Sequence, residues 1–236
     1  MPSSPDRYSI VFGDGHELPG IEAIADWNFR TFSDNTLEQS SSIASLPDYP
    51  ECVVRNHSIE MGSPEDCLRV AHQGIAHYMK LAEQGISLPA QRLVVGPAHY
   101  DQIRYTLYGF TEYIPGRELT ARPGDAELSK PVIEATAGYI ADVYNDPSQQ
   151  ELLWDIGDPW QYTVTPDNKV ILHDVDLQFG SKRLTSEGLN LPQYAAINLR
   201  NWARSSGIER GTNLRALLRA VNPTLMRKFR NRIFKS

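Results

Sequence analysis

The sequence predicts an α+β fold in which a strand-rich N-terminal part precedes a mostly helical C-terminal part. Three observations predict it. Short β-branched and aromatic runs recur up to residue 111, helical periodicity dominates after residue 130, and one short strand pair interrupts the helical half near residues 162–173. Strands and helices that are segregated along the chain are typical of α+β domains rather than of alternating βα units.

Four segments in the first part have the composition of strands. The first covers residues 8–12 and runs into a turn at residues 13–15, which contain two glycines. The second covers residues 51–59, and two more cover residues 93–96 and 104–111. Residues 21–45 fit either a strand or a helix, so we predict no element there.

One helix is predicted between the second and third strands. Ser63 is a favourable N-cap, and Pro64 suits the first helical position. Gly85 stands where a helix normally stops, since glycine is the commonest residue just past the last turn. The apolar residues predicted to face the core are Leu68, Ala71, Ile75, Tyr78, Met79 and Ala82.

The second part is predicted to contain three helices and a hairpin. One helix begins near Pro131, and the others cover about residues 192–205 and 213–234. The hairpin pairs residues 162–164 with residues 169–173 around the turn sequence Pro-Asp-Asn at residues 166–168.

Composition excludes several classes of protein. No apolar run reaches the length of a membrane span, and the N-terminus lacks a signal-peptide pattern. The two cysteines, Cys52 and Cys67, have no metal-type spacing and favour a reducing, cytoplasmic setting. The net charge of −6 argues against nucleic acid as a partner.

The charge is distributed unevenly. Residues 210–236 contain eight Lys or Arg and no acidic residue, whereas residues 1–209 contain 15 basic and 29 acidic residues. Two interpretations of the basic tail stay open: a terminal helix that docks one face on the body, or a surface that binds phosphate or lipid headgroups. The apolar residues of the docking face would be Leu225, Met226, Phe229 and Ile233.

Residues 110–119 have the sequence FTEYIPGREL, and residues 83–89 have the sequence EQGISLP. Both segments resemble aminoglycoside-phosphotransferase-type kinases, which are small members of the protein-kinase-like fold. The resemblance implies a two-lobed kinase-like fold with lobes at residues 1–113 and 114–236. It also implies that the hinge residues Glu112, Tyr113 and Ile114 bind the nucleotide, because a strand that runs into a Pro-Gly turn leaves backbone groups unpaired.

The segment 154–180 carries the second part of the resemblance. Kinase-like enzymes place a catalytic Asp five residues before a metal-binding Asn, and a second metal-binding Asp after a short hairpin. Asp174 follows the predicted hairpin, and Gln161 stands thirteen residues before it in place of the Asn. The resemblance therefore implies that Asp174 and Gln161 bind Mg²⁺, with Asp176 as a further ligand.

The catalytic Asp has two candidates. The position five residues before Gln161 is Ile156, which cannot accept a proton. Asp155 lies six residues before Gln161 and would take the role through a one-residue bulge, which is the assignment that we prefer. Asp158 lies three residues before Gln161 and is the alternative, either as the base or as a third metal ligand.

The first part of the chain offers Arg55 within the second predicted strand. Kinase-like enzymes use a strand Lys there for the nucleotide phosphates, paired with a Glu of the following helix. Arg55 keeps the positive charge with a wider, forked head group, and Gln73 stands near the position of the Glu.

These features predict a phosphotransferase that moves a phosphoryl group from ATP or GTP, with Mg²⁺, to a hydroxyl of a small molecule, peptide or protein. The departures at the lysine, glutamate and asparagine positions leave a second hypothesis, a pseudokinase that acts as a binding or scaffolding module. Adenylyl transfer on the same fold is a third hypothesis.

Overall fold

The computed structural model describes residues 8–20, 43–46, 48–57, 61–98, 101–146, 148, 151–153, 156–173, 177, 179–181 and 191–221. The chain divides into two compact units. The first comprises Met1–Ala76 and Pro89–Ile114, and the second comprises His77–Leu88 and Pro115–Ser236. The boundary between Ile114 and Pro115 lies one residue after the lobe boundary expected from the sequence. Residues 77–88, which were expected in the first lobe, belong to the second unit.

A five-stranded antiparallel sheet forms the framework of the first unit. Its order is β1-β4-β5-β3-β2, so β5 lies between the strands that precede and follow the first helix. Side chains on both faces of the three central strands are buried, among them Val54, Leu93 and Phe110. The strands are β1 (Ser9–Phe12), β2 (Ile43–Leu46), β3 (Tyr49–Asn56), β4 (Gln91–Ala98) and β5 (Asp101–Glu112).

Helix α1 (Pro64–Glu83) begins and ends where the sequence predicts. The Ser63 hydroxyl accepts a hydrogen bond from the N–H of Asp66 and donates one to the Asp66 carboxylate, at 3.2 and 2.9 Å. At the other end Gly85 adopts a φ of +93°, and the N–H of Ile86 reaches the C=O of Leu81 at 3.1 Å. This pattern is a Schellman motif, which only a residue tolerant of positive φ completes without strain.

The predicted stripe of α1 is only partly correct. Tyr78 and Ala71 are buried as expected, but Met79 is 53% exposed and Ala82 is exposed. Met79 was expected in the core because it is apolar. The residue next to it, Tyr78, faces the core instead, and Met79 faces solvent. The buried face consists of Cys67, Val70, Ala71, Gly74, His77, Tyr78 and Leu81.

Among the described residues of the second unit, three helices follow the end of α1. Helix α2 (Ala126–Asn145) begins five residues before the predicted start, after the 3₁₀ turn Pro123–Asp125, and the exposed Pro131 lies inside it. Helices α3 (Leu191–Ser205) and α4 (Thr212–Ala220) both pack against α2. The predicted last helix was expected to reach residue 234, but residues 222–236, with the proposed docking face at Leu225, Met226, Phe229 and Ile233, lie outside the described residues.

The described part of the second unit also contains two small antiparallel sheets. One has the order β6-β8-β9 and the other pairs β7 with β10. Ser87 follows α1 and accepts a hydrogen bond from the N–H of Leu172 at 3.0 Å, which joins residues 77–88 to this unit. The strands are β6 (Arg117–Glu118), β7 (Glu151–Leu153), β8 (Tyr162–Val164), β9 (Val170–Leu172) and β10 (Phe179–Ser181).

The described elements are therefore a mixture of α and β structure with antiparallel sheets, as the coarse part of the predicted class requires. Within the described residues, no helix has both the length and the apolar character that crossing a membrane requires.

Candidate functional site

The β8–β9 hairpin forms where the sequence predicts, and it joins Gln161 to the end of β9. The ladder runs from Tyr162 opposite Leu172 to Val164 opposite Val170. Asn168 takes a φ of +61° in the turn, which asparagine tolerates better than most residues. Beyond the ladder, the N–H of His173 donates to the C=O of Gln161 at 3.0 Å.

Three predicted site residues, Asp155, Asp174 and Asp176, lie outside the residues that the structure describes. The hairpin nevertheless explains the spacing between Gln161 and Asp174, on which the assignment of Asp174 is based. Because residues 161 and 173 are hydrogen-bonded to each other, the interval of thirteen positions from Gln161 to Asp174 consists of the closed hairpin, residues 161–173, followed directly by Asp174.

Gln161 ends the 3₁₀ turn Pro159–Gln161, and its side chain is 3% exposed. Its N–H donates to the C=O of Asp158 at 3.3 Å, so the turn brings the backbones of these two predicted site residues together. A carboxylate and an amide oxygen are both ligands that Mg²⁺ accepts.

Tyr162 anchors the chain on both sides of this turn. Its hydroxyl donates to the C=O of Ile156 at 2.9 Å and lies 3.0 Å from the Thr136 hydroxyl on α2. Its ring packs against Trp202 of α3, with the centroids 5.7 Å apart. Burial raises the pKa of Tyr162, so the phenol stays neutral and acts as a fixed hydrogen-bonding group.

Asp158 is oriented by α3. Its carboxylate accepts a hydrogen bond from the Asn198 side-chain amide at 3.2 Å. A Cβ at Gly157 would lie 3.3 Å from the C=O of Ala195, so the loop approaches α3 closely at this point. The sequence gives no local signal for Asn198, because it lies 40 residues from the carboxylate that it contacts.

His173 lies beside strand β8 of the hairpin. Its Nδ1 is 2.8 Å from the Thr163 hydroxyl. Thr163 is buried, and this contact fixes the imidazole of the residue that immediately precedes Asp174 in the sequence.

The Pro-Gly pair of the predicted hinge packs against β8. A Cβ at Gly116 would meet the C=O of Val164 and the Thr163 methyl group, so no larger residue fits at this position. Next along the chain, β6 pairs with β8, and the N–H of Leu119 donates to the C=O of Tyr162 at 2.9 Å. In the second unit, this glycine is therefore required by close packing against the hairpin.

Asp125 has a strongly perturbed carboxyl group, and its role is structural. Two hydrogen bonds from the Arg117 guanidinium, at 2.6 and 3.0 Å, hold its pKa well below the usual range, and Thr120 donates two more. This pair fixes the turn that leads into α2.

The backbone of the predicted hinge differs from the expectation. The N–H of Glu112 donates to the C=O of Ala90 at 3.2 Å, and the N–H of Tyr113 donates to the C=O of Glu51 at 2.7 Å. Both side chains are exposed, Tyr113 by 55%. Among the described residues, the N–H of Ile114 donates no hydrogen bond, so Ile114 is the hinge residue that retains the expected donor.

Arg55 lies on β3 with a relative exposure of 8%. It is opposite Gly109 of β5, and a Cβ at Gly109 would lie 2.7 Å from Nε2 of His57. Burial, with a smaller contribution from the charge of Arg55, lowers the pKa of His57 to about 3. The predicted phosphate ligand therefore lies near a buried, neutral histidine, whereas Gln73 of α1 is exposed.

His77 is a buried polar residue that the sequence analysis does not single out. His77 is 5% exposed, its Nδ1 lies 2.7 Å from the Tyr139 hydroxyl, and that hydroxyl accepts a hydrogen bond from the N–H of Leu153. Burial lowers the pKa of His77 to about 4. This cluster connects the end of α1 with α2 and β7 inside the second unit.

The described residues contain no group of three His, Cys, Asp or Glu side chains that would hold a metal ion by itself. Comparisons of the chain with protein-family models, with curated proteins and with solved structures each returned no match.

Proposed function

We propose that the chain is a phosphotransferase with a two-lobed kinase-like fold, which moves a phosphoryl group from ATP or GTP to a hydroxyl of a small molecule, peptide or protein. The observation that supports it best is the hydrogen bond between His173 and Gln161. This bond closes the hairpin immediately before Asp174, and the kinase-like site requires a carboxylate at that point, next to an amide ligand.

The topology of the first unit gives further support. In kinase-like enzymes the phosphate-binding strand residue precedes a helix, and the hinge follows the last strand of the sheet. Here β3 with Arg55 precedes α1, and β5 lies between β3 and β4 before it ends at Glu112.

The residue types fit a magnesium ion bound by Asp174 and Gln161, with Asp176 as a further ligand. The ion would neutralise negative charge on the nucleotide phosphates. Asp155, or Asp158 in its place, would accept the proton of the acceptor hydroxyl, and Arg55 would balance phosphate charge. The backbone of Ile114 would bind the adenine or guanine.

The second candidate, a binding or scaffolding module, is favoured by the first unit. Arg55 is buried near His57, and the hinge N–H groups of Glu112 and Tyr113 already have backbone partners. A chain that binds nucleotide without turnover would tolerate both features. Adenylyl transfer would use the same metal residues and is distinguished by pyrophosphate instead of ADP as product.

The test is the melting temperature with and without ATP or GTP and Mg²⁺. We expect the Mg²⁺-nucleotide to raise it in the wild type, because a ligand that binds only the folded state stabilises that state. Asp174→Asn should abolish the shift, and the turn variant Asp167→Asn should retain it. No shift with either nucleotide in the presence of Mg²⁺ or Mn²⁺ would rule out the phosphotransferase.

A further inference from the structure

A basic groove lies between the end of α3 and α4 in the second unit. Its volume is about 960 Å³, at the upper end of the range for small-molecule sites. Half-buried Ile208 and Leu218 contribute apolar surface, and Glu209 contributes its one carboxylate. We call it the arginine groove, because its lining includes Arg200, Arg204, Arg210, Arg215 and Arg219.

Backbone features that are independent of the arginines set the shape of the groove. Helix α3 ends in a Schellman motif, in which Gly207 has a φ of +72° and the N–H of Ile208 donates to the C=O of Ala203 at 2.8 Å. The N-terminus of α4 is held by α2, since the N–H of Asn213 donates to the Glu134 carboxylate at 3.0 Å. Contacts that do not involve the arginines therefore fix both helix ends that border the groove.

The arginines on the helices are spaced to present a double row of guanidinium groups. Arg200 and Arg204 are four residues apart on α3, and Arg215 and Arg219 are four residues apart on α4. Residues at this spacing lie on one helix face, about 6 Å apart along the axis. Arg210 lies in the connecting loop, so three segments direct positive charge into one concavity.

The charge in the groove is poorly compensated by the protein. Burial lowers the pKa of Arg200, and repulsion by Arg210 and Arg204 lowers it further. Across the part of the chain that the structure describes, no ion pair involves Arg204, Arg210, Arg215 or Arg219. Like charges gathered in this way destabilise the empty groove and favour an anion.

Helix electrostatics explain only part of the cluster. Arg204 and Arg219 lie in the last turns of α3 and α4, where a positive charge interacts favourably with the helix dipole. Arg215 is in the first turn of α4, where the dipole disfavours a cation, and Arg210 is outside both helices. The helix dipoles therefore do not explain why Arg210 and Arg215 lie in the groove.

We propose that the arginine groove binds a small organic anion that carries two or more phosphate groups. Guanidinium forks bind phosphate oxygens in pairs, and neighbouring arginines can share adjacent phosphates of one ligand. Ile208 and Leu218 offer contact to the carbon part of such a molecule. The acidic body of the chain repels long polyanions, so a ligand that fits within the groove is favoured over nucleic acid.

The experiment is a calorimetric titration of the full chain with inorganic triphosphate at low salt and without divalent cations. We expect saturable binding that weakens as the salt concentration rises. Arg204→Gln and Arg210→Gln should each weaken it about tenfold, the scale of one lost charge-assisted contact. Arg122→Gln, which removes an exposed arginine outside the groove, should leave the affinity unchanged.

Circular dichroism and the melting temperature would verify that the variants are folded, which we expect since both arginines are exposed. Asp174→Asn should keep triphosphate binding, which separates this groove from the proposed nucleotide site. Equal affinities of the wild type, Arg204→Gln and Arg210→Gln would overturn the proposal. So would binding of an acidic peptide or of vesicles containing phosphoinositides without binding of triphosphate.

Discussion

The hairpin region of the second unit (residues 156–173) and the central strands of the first unit both contain side-chain hydrogen bonds between elements, but the central strands also bury the charge of Arg55. In the hairpin region, polar side chains are bonded to partners on other elements, as in Tyr162 with Thr136 and Asp158 with Asn198. In the central strands, the buried charge of Arg55 lies near His57, whose pKa is lowered to about 3.

The two regions differ in how well their side chains are positioned and in how sensitive their folding is to change. Side chains held by hydrogen bonds from several elements are positioned before a ligand binds, which is the main requirement of phosphoryl transfer. A buried charge near a neutral histidine makes folding sensitive to pH and to side-chain size. The hairpin region therefore fits the proposed phosphotransferase, and the buried charge of the central strands is the feature that fits it least.

The largest effect concerns the catalytic carboxylate. Asp155→Asn should reduce phosphoryl transfer by about 10²–10⁴-fold and leave nucleotide binding intact, because an amide cannot accept the acceptor's proton. Asp158→Asn should cost less, since it retains an oxygen that can bond to Asn198. Steady-state rates, with Asp167→Asn as the control, decide between them, and a greater loss from Asp158→Asn would overturn the assignment.

The pH dependence of stability is the next effect. The folded-state pKa values of His57 and His77, about 3 and about 4, lie below the ordinary value of 6.5, so below that pH the unfolded chain binds more protons. Stability from both residues is complete above about pH 6.5 and falls as the pH decreases, by up to about 1.4 kcal/mol per pH unit for each histidine.

Urea unfolding between pH 7 and pH 4.5 would measure this slope. His57→Gln and His77→Gln should each reduce the slope, and the exposed His72→Gln should not. If His57→Gln and His77→Gln both unfold with the wild-type slope, folding does not lower the pKa of either histidine, and the result for His57 would remove the basis of the comparison of the two regions.

Side-chain size in the central strands gives a smaller effect. Gly109→Ala places a Cβ about 2.7 Å from Nε2 of the buried His57, so the imidazole or the strand must shift to accommodate it. We expect a loss of about 1–3 kcal/mol in the free energy of unfolding. Gly62→Ala, where the new Cβ has no neighbour within 4 Å, is the matched control, and equal stability of the two variants would contradict the packing.

The smallest effect concerns the hairpin region. Tyr162→Phe removes the contacts to Ile156 and Thr136 and should cost about 1–2 kcal/mol, because a carbonyl and a hydroxyl lose their partner in the core. Tyr113→Phe, at an exposed position, should be neutral. Chemical denaturation of both variants measures the difference, and a neutral Tyr162→Phe would show that the anchor is not needed.

Local chemistry made much of the fold predictable. Ser63 and Gly85 marked the ends of α1 because capping depends on single residues within one helical turn. The turn residues 166–168 marked the hairpin for the same reason, since Asn168 is suited to the positive φ that it adopts.

The parts that the sequence did not predict depend on contacts between distant residues. His77 is buried because Tyr139, 62 residues away, binds its ring. The hinge N–H groups are occupied because Glu51 and Ala90 lie beside the end of β5. Neither fact leaves a pattern in the neighbouring sequence, and the five arginines of the groove are likewise dispersed over twenty residues.

The most direct test of the central claim is Mn²⁺ binding in the presence of ATP or GTP, measured by electron paramagnetic resonance. The wild type and Gln161→Asn, which restores the amide usual in kinase-like sites, should bind the ion. Gln161→Leu, a substitution of similar size at a buried position, should weaken binding about tenfold through loss of one oxygen ligand. Unchanged Mn²⁺ affinity in Gln161→Leu would contradict the proposal that Gln161 and Asp174 form a metal site.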